Sequence, residues 1–428
     1  MVCSSAPGFC ERAVEIMTAA DSIWSGEGTH RVPYRVYTDS ELYRRELDLI
    51  FQGPCWNFVG LEAEIPEPGD FRTTRIGESS VIVVHGSDGV IRALQNQCAH
   101  RGLEVCKSNH GNAKSFQCPY HQWRYGLNGR LLGAPLSKGV NGKGGMPEDF
   151  KRSAHGLNEL RVATRRGVIF ASLGEPPESL EDYLGPKMVR WFDRVFDGRP
   201  LRLLGTSRQR IPANWKLMFE NIKDPYHASL LHVFLVSFGL FRADNPSATE
   251  MDETGRHSVL TSCRSDPNQA STPNRATAEM SSFREDLQLK DGKLLDIVKE
   301  FDGPETVVMQ TIWPNLIVQQ QANTLATRQI IPRAPDCFDL VWTFFGYQDD
   351  DEAMCARRLR HANLMGPAGF VSMDDSEVMD AAQRGIAADS SGDAVVEMGG
   401  RGTEDQDHIV TETAIRAFYA YYRKVMDS

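Results

Sequence analysis

The chain has 428 residues, of which 41% are hydrophobic and 24% charged, and its formal net charge is −10. This length supports a large core and about two domains, and the composition is that of an ordinary globular protein. The acidic balance, with no basic cluster to offset it, excludes nucleic-acid binding as the main function.

Cysteine usage and the N-terminus bear on the cellular compartment. The nine cysteines are an odd number spread over a long chain, which disfavours a disulfide framework and favours a reducing environment. Glu11, Arg12 and Glu15 stand where a signal peptide needs an apolar run. The longest apolar stretch, around residues 228–241, is too short to span a bilayer and contains His232. We therefore expect a cytoplasmic protein without a membrane segment.

The first predicted element is a helix over residues 37–51. Asp39 or Ser40 can serve as its N-cap, because either side chain can accept a hydrogen bond from the first turn. After this helix the pattern changes to short β-rich runs separated by Gly, Pro and Asp, as in the hairpin pattern of residues 80–94. The pattern continues to about Phe170 and predicts an all-β unit.

Two Cys/His pairs lie inside this β-rich region. Cys98 is followed by His100, and Cys118 is followed by His121. Each pair offers one thiolate and one imidazole, whereas the C-x2-C spacing of zinc fingers and ribbons pairs two thiolates. In a Rieske [2Fe–2S] centre two thiolates hold one iron and two imidazoles hold the other. The flanking Arg-Gly after the first pair and the Pro-Tyr-His-Gln-Trp run of the second favour this centre. We expect both pairs on loops at hairpin tips.

Two plainer interpretations compete with the cluster. A buried cysteine usually acts as a small apolar residue and a lone histidine as a satisfied polar group. A structural zinc site would use the same kinds of donor. Cys106 is a possible further ligand, but it has no histidine at short spacing, so we expect it in the core. Four donors in this order and context are hard to explain by packing alone.

A second region begins near residue 175. Its pattern predicts a helix over residues 178–196 and then a mixture of helices and strands to the C-terminus. Residues 264–280 are polar and rich in Pro, Ser and Asn, which predicts a mobile loop. The sequence has no Gly-rich phosphate loop and no dinucleotide fingerprint. Electrons for a redox centre are therefore expected to arrive from another protein.

A second metal site is predicted from His227 and His232. Their spacing of five does not align in a regular α-helix, so the two imidazoles converge only across a π-type turn or a break. Two imidazoles and one carboxylate form the facial triad of non-haem Fe(II) oxygenases. The carboxylate has to come from elsewhere, and Asp374 and Asp375, after the Gly-Pro-Ala-Gly of residues 366–369, are the best candidates. Each of these residues alone is a weak signal.

Together these motifs resemble the large (α) subunit of Rieske non-haem iron aromatic-ring hydroxylating oxygenases, almost end to end. The resemblance implies an α+β fold with an all-β Rieske [2Fe–2S] domain. The catalytic domain would have an antiparallel sheet flanked by helices (helix-grip, START-like). The implied division is an N-terminal helical part of the catalytic domain in residues 1–42, the Rieske domain in 43–165, and the mononuclear-iron catalytic domain in 166–428.

The resemblance also implies roles for single residues. The implied cluster ligands are Cys98, His100, Cys118 and His121. The family's catalytic block matches Asp224, His227 and His232, and its distal carboxylate is the second of two acids, which selects Asp375 over Asp374. The implied cofactors are a Rieske [2Fe–2S] cluster and mononuclear Fe(II), with O2 as co-substrate. In a head-to-tail trimer, Asp224 would join His121 of one chain to His227 of the next.

The implied partners follow from the same resemblance. Electrons would pass from NAD(P)H through a reductase and a ferredoxin to the cluster. A small β subunit is common among such enzymes, giving an α3β3 assembly, and otherwise an α3 homotrimer is expected. The remaining partner would be a small aromatic acid, with no nucleic acid and no membrane.

The substrate side of the resemblance is closest to salicylate 5-hydroxylases and then to terephthalate dioxygenases. Arg328 lies among apolar and small residues, on a predicted strand over 325–331 beside another over 316–321. An unpaired guanidinium is unfavourable there, whereas a planar carboxylate could be held by two parallel hydrogen bonds. The plainer interpretation is an Arg on the solvent face of a strand. Further candidates for substrate contact are Gln319 and Gln321, which could bond an ortho hydroxyl or amine, and Asn221.

One departure from the resemblance bears on the choice of acid. Terephthalate-type enzymes carry a second Arg near the C-terminus, where this chain has Ile409, which favours a monocarboxylate. We expect salicylate to be hydroxylated at the 5-position to gentisate, with anthranilate, terephthalate or another substituted benzoate as alternatives. From other classes, the chain could be a Rieske electron-transfer protein without oxygenase activity, or a structural zinc module.

Overall fold

The computed structural model describes residues 23, 24, 26, 28–176, 178–264 and 275–427. The first 22 residues of the predicted N-terminal part lie outside the described residues, as does most of the loop predicted over 264–280. No helix in the described part is long and apolar enough to cross a membrane.

The described chain begins with short elements: β1 (Arg31–Pro33), α1 (Arg35–Thr38) and α2 (Ser40–Glu46), the last continued by a π-helical turn over Leu47–Phe51. The Asp39 carboxylate accepts hydrogen bonds from the backbone N–H groups of Glu41 and Leu42. Asp39 is therefore the N-cap of α2, one of the two predicted alternatives.

The β-rich region that follows has ten strands: β2 (Asn57–Leu61), β3 (Asp70–Ile76), β4 (Ser79–His85), β5 (Ile91–Gln95), β6 (His110–Asn112), β7 (Phe116–Gln117), β8 (Arg124–Tyr125), β9 (Leu131–Gly133), β10 (Arg161–Arg165) and β11 (Val168–Ser172). They form three antiparallel sheets, ordered β5-β4-β3-β6, β7-β8-β9 and β10-β11-β2. The all-β unit predicted from the sequence is confirmed. Its separate apolar core contains Cys98 and Cys118, and Cys106 packs partly buried against it. The boundary predicted after residue 165 falls in the turn between β10 and β11.

The remaining helices and strands are α3 (Leu180–Val195), β12 (Leu201–Ile211), α4 (Trp215–Lys223), α5 (Ala228–Leu231), α6 (Val233–Ser237), β13 (Ser247–Met251), β14 (Ser258–Ser262), α7 (Arg275–Glu279), β15 (Val307–Ile312), β16 (Leu316–Gln321), β17 (Thr324–Ala334), β18 (Cys337–Tyr347), α8 (Glu352–Met365), α9 (Phe370–Ala388), β19 (Asp393–Val395) and α10 (Thr413–Met426). The helix predicted over 178–196 is α3, and the two strands predicted around Arg328 are β16 and β17. β19 pairs antiparallel with β1, which ties the start of the described chain to its C-terminal part.

A seven-stranded antiparallel sheet, ordered β12-β18-β17-β16-β15-β14-β13, forms the centre of this second region. Its register aligns Ser258, Thr311, Ile317, Arg328 and Trp342 across neighbouring strands. Residues aligned in this way project from the same face of a sheet. Helix α4 packs against β15 and β17, and α9 packs against α4. The sheet face and these helices enclose the site described next.

Candidate metal centres

The two Cys/His pairs lie on loops with the same backbone hydrogen bonds. The N–H of each cysteine donates to a carbonyl five residues further on, at 2.9 Å for Cys98 and 2.8 Å for Cys118. The N–H of Gly102 closes the first loop onto the carbonyl of Cys98, and that of Gln122 closes the second onto Cys118. Gly102 and Gln122 both have positive φ, 73° and 55°, which a Gln adopts only under constraint. The matched loops hold both pairs in similar geometry.

The side chains of the two pairs converge. The ring centroids of His100 and His121 are 4.5 Å apart, and Trp123 stacks on His100 at 4.9 Å with an interplanar angle of 5°. Cys98 and Cys118 are buried. The sequence motif therefore brings the two imidazoles together and buries both thiols in one core, between the loops after β5 and after β7.

This donor set fits a binuclear cluster. Nδ1 of His100 is buried without a hydrogen-bond partner, and burial lowers the pKa of His100, aided by His121 and Arg101. The imidazole is thus kept neutral, the state in which it binds metal. No three of the four donor atoms lie within 4.8 Å of one another. A tetrahedral zinc with bonds of about 2.0–2.3 Å needs a tighter set.

The backbone between α4 and α6 is broken twice. Asp224, directly after α4, has φ −102° and ψ 85°, and His232, between α5 and α6, has φ −87° and ψ 89°. Neither residue is helical, so the break that the His227 and His232 spacing requires is present. The ring centroids of the two histidines lie 5.5 Å apart.

Asp375 on α9 completes a three-residue set with these histidines. Its Oδ1 lies 3.5 Å from Nε2 of His227 and 3.3 Å from Nε2 of His232, and it accepts a hydrogen bond from the Asn221 amide at 3.0 Å. Within the described ranges, this is the one group of three or more His, Cys, Asp or Glu whose donor atoms all lie within 4.8 Å. Two imidazoles and one carboxylate are the donors of a facial Fe(II) site.

Asp374 takes a different position, which sequence reasoning missed. Its Oδ2 lies 3.2 Å from Nδ1 of His232, on the far side of the ring from Asp375. Nδ1 of His227 likewise contacts the backbone carbonyl of Asp224. Both rings therefore direct Nε2 inward and are oriented through Nδ1, as is usual for metal-binding histidines. The sequence signal for Asp374 was only its place beside Asp375.

The electrostatics of this set favour a cation. Burial alone would lower the pKa of His227, but Asp224 and Asp375 outweigh it and raise that pKa to about 10. Burial works to raise the pKa of Asp375, yet hydrogen bonds to His227 and His232 hold it well below its usual range. The carboxylates thus favour positive charge at this point, and a divalent cation can supply that charge in place of the proton.

A cavity opens beside the three-residue set. Its polar lining residues are Asn221, Asp224, His227, His232, Gln321, Arg328 and Asp375, and its apolar lining includes Ile222, Leu235, Phe241, Leu260, Val307, Met309 and Val371. The space between these residues, including its opening to solvent, is about 450 Å³. Apolar walls with a few polar groups suit an aromatic ring that carries polar substituents.

Arg328 is the one Arg or Lys side chain among the described lining residues of this cavity. It is 3% exposed, so the interpretation of a solvent-facing strand Arg is wrong. Its Nε donates to Oε1 of Gln319 at 2.8 Å, its Nη2 donates to the same oxygen, and its Cζ lies 4.0 Å from the ring centroid of Trp342. Burial lowers its pKa to about 9, opposed by the charge of Asp375. No carboxylate of the described residues lies within 4.0 Å of the guanidinium.

The other predicted substrate residues divide into three cases. Gln321 lines the cavity, and Gln319 lies behind it, where its Nε2 donates to Oε1 of Gln321 at 2.9 Å. Asn221 lines the cavity beside the three-residue set and donates to Asp375. Ile409 is fully buried in the main apolar core and is not a lining residue. The preference for a monocarboxylate drawn from Ile409 stays a prediction.

Two acids near α4 were also missed, of which Glu46 is buried and Glu220 partly buried. Glu46 accepts hydrogen bonds from Lys216, Trp215 and Tyr422. Glu220 accepts from Tyr419, and burial raises its pKa to about 7, opposed by hydrogen bonds from Tyr419 and Tyr37. Acids at core-facing positions of amphipathic helices are the sequence signal that could have found them.

Comparison with known families agrees with both donor sets. Residues 55–143 match the Rieske [2Fe-2S] domain, and residues 196–428 match the ring hydroxylating alpha subunit (catalytic domain). The second match covers more than half of the chain. The chain belongs to the ring-hydroxylating oxygenase α subunits. It is therefore an oxidoreductase, not an electron-transfer protein with an inert second domain or a structural zinc module.

Curated relatives of this α subunit match along nearly the whole chain. The large oxygenase component of salicylate 5-hydroxylase from Ralstonia sp. is 52% identical over 95% of this chain and 96% of that protein. The large subunit of anthranilate 1,2-dioxygenase from Burkholderia cepacia is 43% identical over 95% and 96%. An α subunit of terephthalate 1,2-dioxygenase from Comamonas sp. is 42% identical over 94% and 97%.

Solved structures show the same fold. Naphthalene 1,2-dioxygenase from Rhodococcus sp. has a TM-score of 0.76 and 27% identity, over 92% of this chain and 94% of that one. The α+β fold predicted from the sequence is confirmed, with the Rieske domain beside a catalytic domain of sheet and flanking helices.

The cofactors of this α subunit are a Rieske [2Fe–2S] cluster and a mononuclear iron, with O2 as co-substrate. When bound, the cluster would supply electron transfer and the iron would supply the activation of O2. The protein's own groups position the imidazoles of His227 and His232 through Asp374 and the Asp224 carbonyl, and they present an apolar cavity with one guanidinium beside the three-residue set.

Proposed function

We propose that this α subunit hydroxylates an aromatic monocarboxylic acid, and that the preferred reaction is 5-hydroxylation of salicylate to gentisate. The observation that carries the proposal is the buried guanidinium of Arg328 on the cavity wall. Gln319 occupies its Nε–Nη2 edge, which leaves the Nη1–Nη2 edge for two parallel hydrogen bonds to a carboxylate. Such a substrate supplies the negative charge that Arg328 lacks.

The choice of salicylate rests on the relatives. The relative named salicylate 5-hydroxylase is 52% identical to this chain, against 43% for the anthranilate enzyme and 42% for the terephthalate enzyme. A single Arg or Lys among the described lining residues favours one carboxylate over two. Anthranilate, terephthalate and other substituted benzoates are the alternative substrates.

The metal-binding roles are part of the proposal. Cys98 and Cys118 would bind one iron of the cluster, and His100 and His121 would bind the other. His227, His232 and Asp375 would bind the mononuclear iron. Asp224 is not a metal ligand in this scheme, but it contacts His227. It would mediate electron transfer from His121 of a neighbouring chain to His227.

The assembly and electron supply follow from this scheme. We propose a multicomponent system in which NAD(P)H reduces a reductase, the reductase reduces a ferredoxin, and the ferredoxin reduces the cluster. The subunits would form a head-to-tail trimer, with or without small β subunits. The domain division at residues 42 and 165, and a cytoplasmic location, stay predictions.

The test of the carboxylate contact is Arg328→Gln. We expect kcat/KM for salicylate to fall on the order of 10²–10³-fold, because one partner of a buried charged pair is removed. The neutral isostere salicylamide should lose only a few-fold. Arg333→Gln is the matched control, since Arg333 lies on the same strand but pairs with Asp339. Equal losses for the acid and the amide would reject the contact, and no turnover of any aromatic acid by cluster-loaded enzyme would reject the function.

A further inference from the structure

We infer that Arg328, Gln319 and Gln321 form a directional hydrogen-bond relay that leaves an N–H donor at the cavity wall beside the substrate carboxylate. This donor selects acids whose ortho group accepts a hydrogen bond, such as the hydroxyl of salicylate, over acids whose ortho group donates, such as the amine of anthranilate. The inference rests on the proposed function and assigns the residues that set its specificity.

The direction of the relay is set at Arg328. A guanidinium has only donors. Both Nε and Nη2 of Arg328 point at one atom of Gln319, which must therefore be the amide oxygen. The usual ambiguity between the oxygen and nitrogen of a Gln amide is removed here by the chemistry of the partner.

The same logic passes to Gln321. Because its oxygen accepts from Arg328, Gln319 directs its Nε2 toward Gln321. The Gln321 atom that lies 2.9 Å from this Nε2 must therefore be the acceptor, Oε1. Gln319 and Gln321 are alternate residues of β16 and so project from the same face of the sheet. The Nε2 of Gln321 is left as a donor, and it makes no hydrogen bond to any described residue, while Gln321 lines the cavity.

The relay is held rigidly. Gln319 is 0% exposed and Arg328 is stacked on Trp342. Water therefore has little access to replace the hydrogen bond from Arg328 to Gln319 or the one from Gln319 to Gln321. Reversing the amide of Gln319 would set two donors against each other at Arg328 and leave a buried polar group unpaired, which is strongly unfavourable. The donor character of Gln321 at the cavity is therefore a fixed property of the wall.

The two ortho-substituted acids respond differently to such a donor. In salicylate the hydroxyl donates its hydrogen to the neighbouring carboxylate, so its oxygen lone pairs face outward and can accept from Gln321. In anthranilate one N–H turns to the carboxylate and the other faces outward, while the nitrogen lone pair is delocalised into the ring. Its outward N–H meets the N–H of Gln321, and neither is satisfied.

The test measures equilibrium binding of salicylate, anthranilate and benzoate to the cofactor-loaded enzyme without O2, by calorimetry, together with kcat/KM in the reconstituted system. The wild type should bind salicylate at least about tenfold more tightly than anthranilate, as one mismatched buried hydrogen bond implies. Gln321→Met removes the donor and should bring this ratio to within about threefold of unity.

Gln319→Glu should reverse the relay. A Glu can accept from Arg328 with one oxygen and from Gln321 with the other, so Gln321 would turn its own oxygen toward the cavity. The added negative charge should weaken the binding of both salicylate and anthranilate, but the variant should prefer anthranilate. Gln320→Met is the matched control, because Gln320 lies between the two on β16, projects from the opposite face and bonds Arg194.

The outcomes separate the relay from the proposed function. If both acids bind and Arg328→Gln weakens both, but the ratio is unchanged in Gln321→Met and Gln319→Glu, the relay alone is rejected. A wild type that prefers anthranilate also rejects it. If neither acid binds to the wild type, the proposed function fails and the relay fails with it.

Discussion

Asp375 places Oδ1 3.3 Å from Nε2 of His232, while the preceding acid meets the opposite nitrogen of the same ring. Two adjacent carboxylates on one helix thus act on one imidazole in different ways. Asp375 shares the inward side with His227, and Asp374 orients the ring from outside.

This division predicts different effects of two similar substitutions. Asp375→Asn should abolish binding of the mononuclear iron, because it removes the only carboxylate of the three-residue set. Asp374→Asn should leave the iron bound but weaken its affinity about 10–100-fold, as is typical for groups that orient a metal-binding histidine. Iron content after dialysis against graded chelator measures both. Loss of the cluster absorbance in either variant would show misfolding, and equal iron affinities would contradict the assignment.

The Tyr125 hydroxyl lies 3.2 Å from Sγ of Cys98. We therefore expect removal of this hydroxyl to change the reduction potential of the cluster. A metal-bound thiolate carries no hydrogen, so Tyr125 donates and stabilises the reduced cluster by spreading its negative charge. Tyr125→Phe should lower the reduction potential by roughly 20–60 mV, the electrical equivalent of one ordinary hydrogen bond. A redox titration monitored by cluster absorbance measures the shift. An unchanged potential would mean that the bond is absent in the loaded protein.

Asp224 is expected to act on electron transfer without binding metal. Its carboxylate contacts the backbone N–H and the ring of His227, so Asp224→Asn keeps the size of the side chain but removes the charge. Both cofactors should remain bound, while reoxidation of the reduced cluster by O2 and substrate slows by at least about tenfold. Stopped-flow absorbance of the cluster follows this step. Normal reoxidation with low product yield would place the role of Asp224 elsewhere.

The raised pKa of Glu220 is expected to make the free energy of unfolding depend on pH. Its folded-state pKa of about 7 lies above its ordinary value of 4.5, because it is buried. The stability that this raised pKa contributes is fully present below pH 4.5 and is lost as the pH rises through 7. Glu220→Gln does not titrate, so its stability relative to the wild type should rise between pH 5 and pH 8.5, by up to about 3 kcal/mol. Thermal midpoints at several pH values test this. The exposed Glu148→Gln should show no such trend, and parallel curves for all three proteins would refute it.

Much of the site could be predicted because short spacings carry it. Cys98 with His100, and Cys118 with His121, are close in sequence, so local loop geometry is enough to bring each pair together. The His227 and His232 spacing required a break, and the structure has one. β16 and β17 were also predicted, because their apolar and β-branched residues are typical of buried strands.

The rest depended on contacts between distant parts of the chain. The direction of Gln319 and Gln321 follows from their pairing with Arg328 on the next strand, and single-strand periodicity does not specify which face is buried. The complete burial of Ile409 likewise depends on how the segment before α10 packs.

The sequence alone therefore determined the donor types, the kinds of cofactor and the enzyme family, since metal chemistry depends on which ligands are present and on local spacing. Only the tertiary structure decided that Asp374 meets His232 from the opposite side of the ring, that Arg328 is buried without a carboxylate partner, and that Gln319 joins Arg328 to Gln321. The physical reason is that burial and hydrogen-bond direction are properties of packed neighbours, and these neighbours come from strands and helices far apart along the chain.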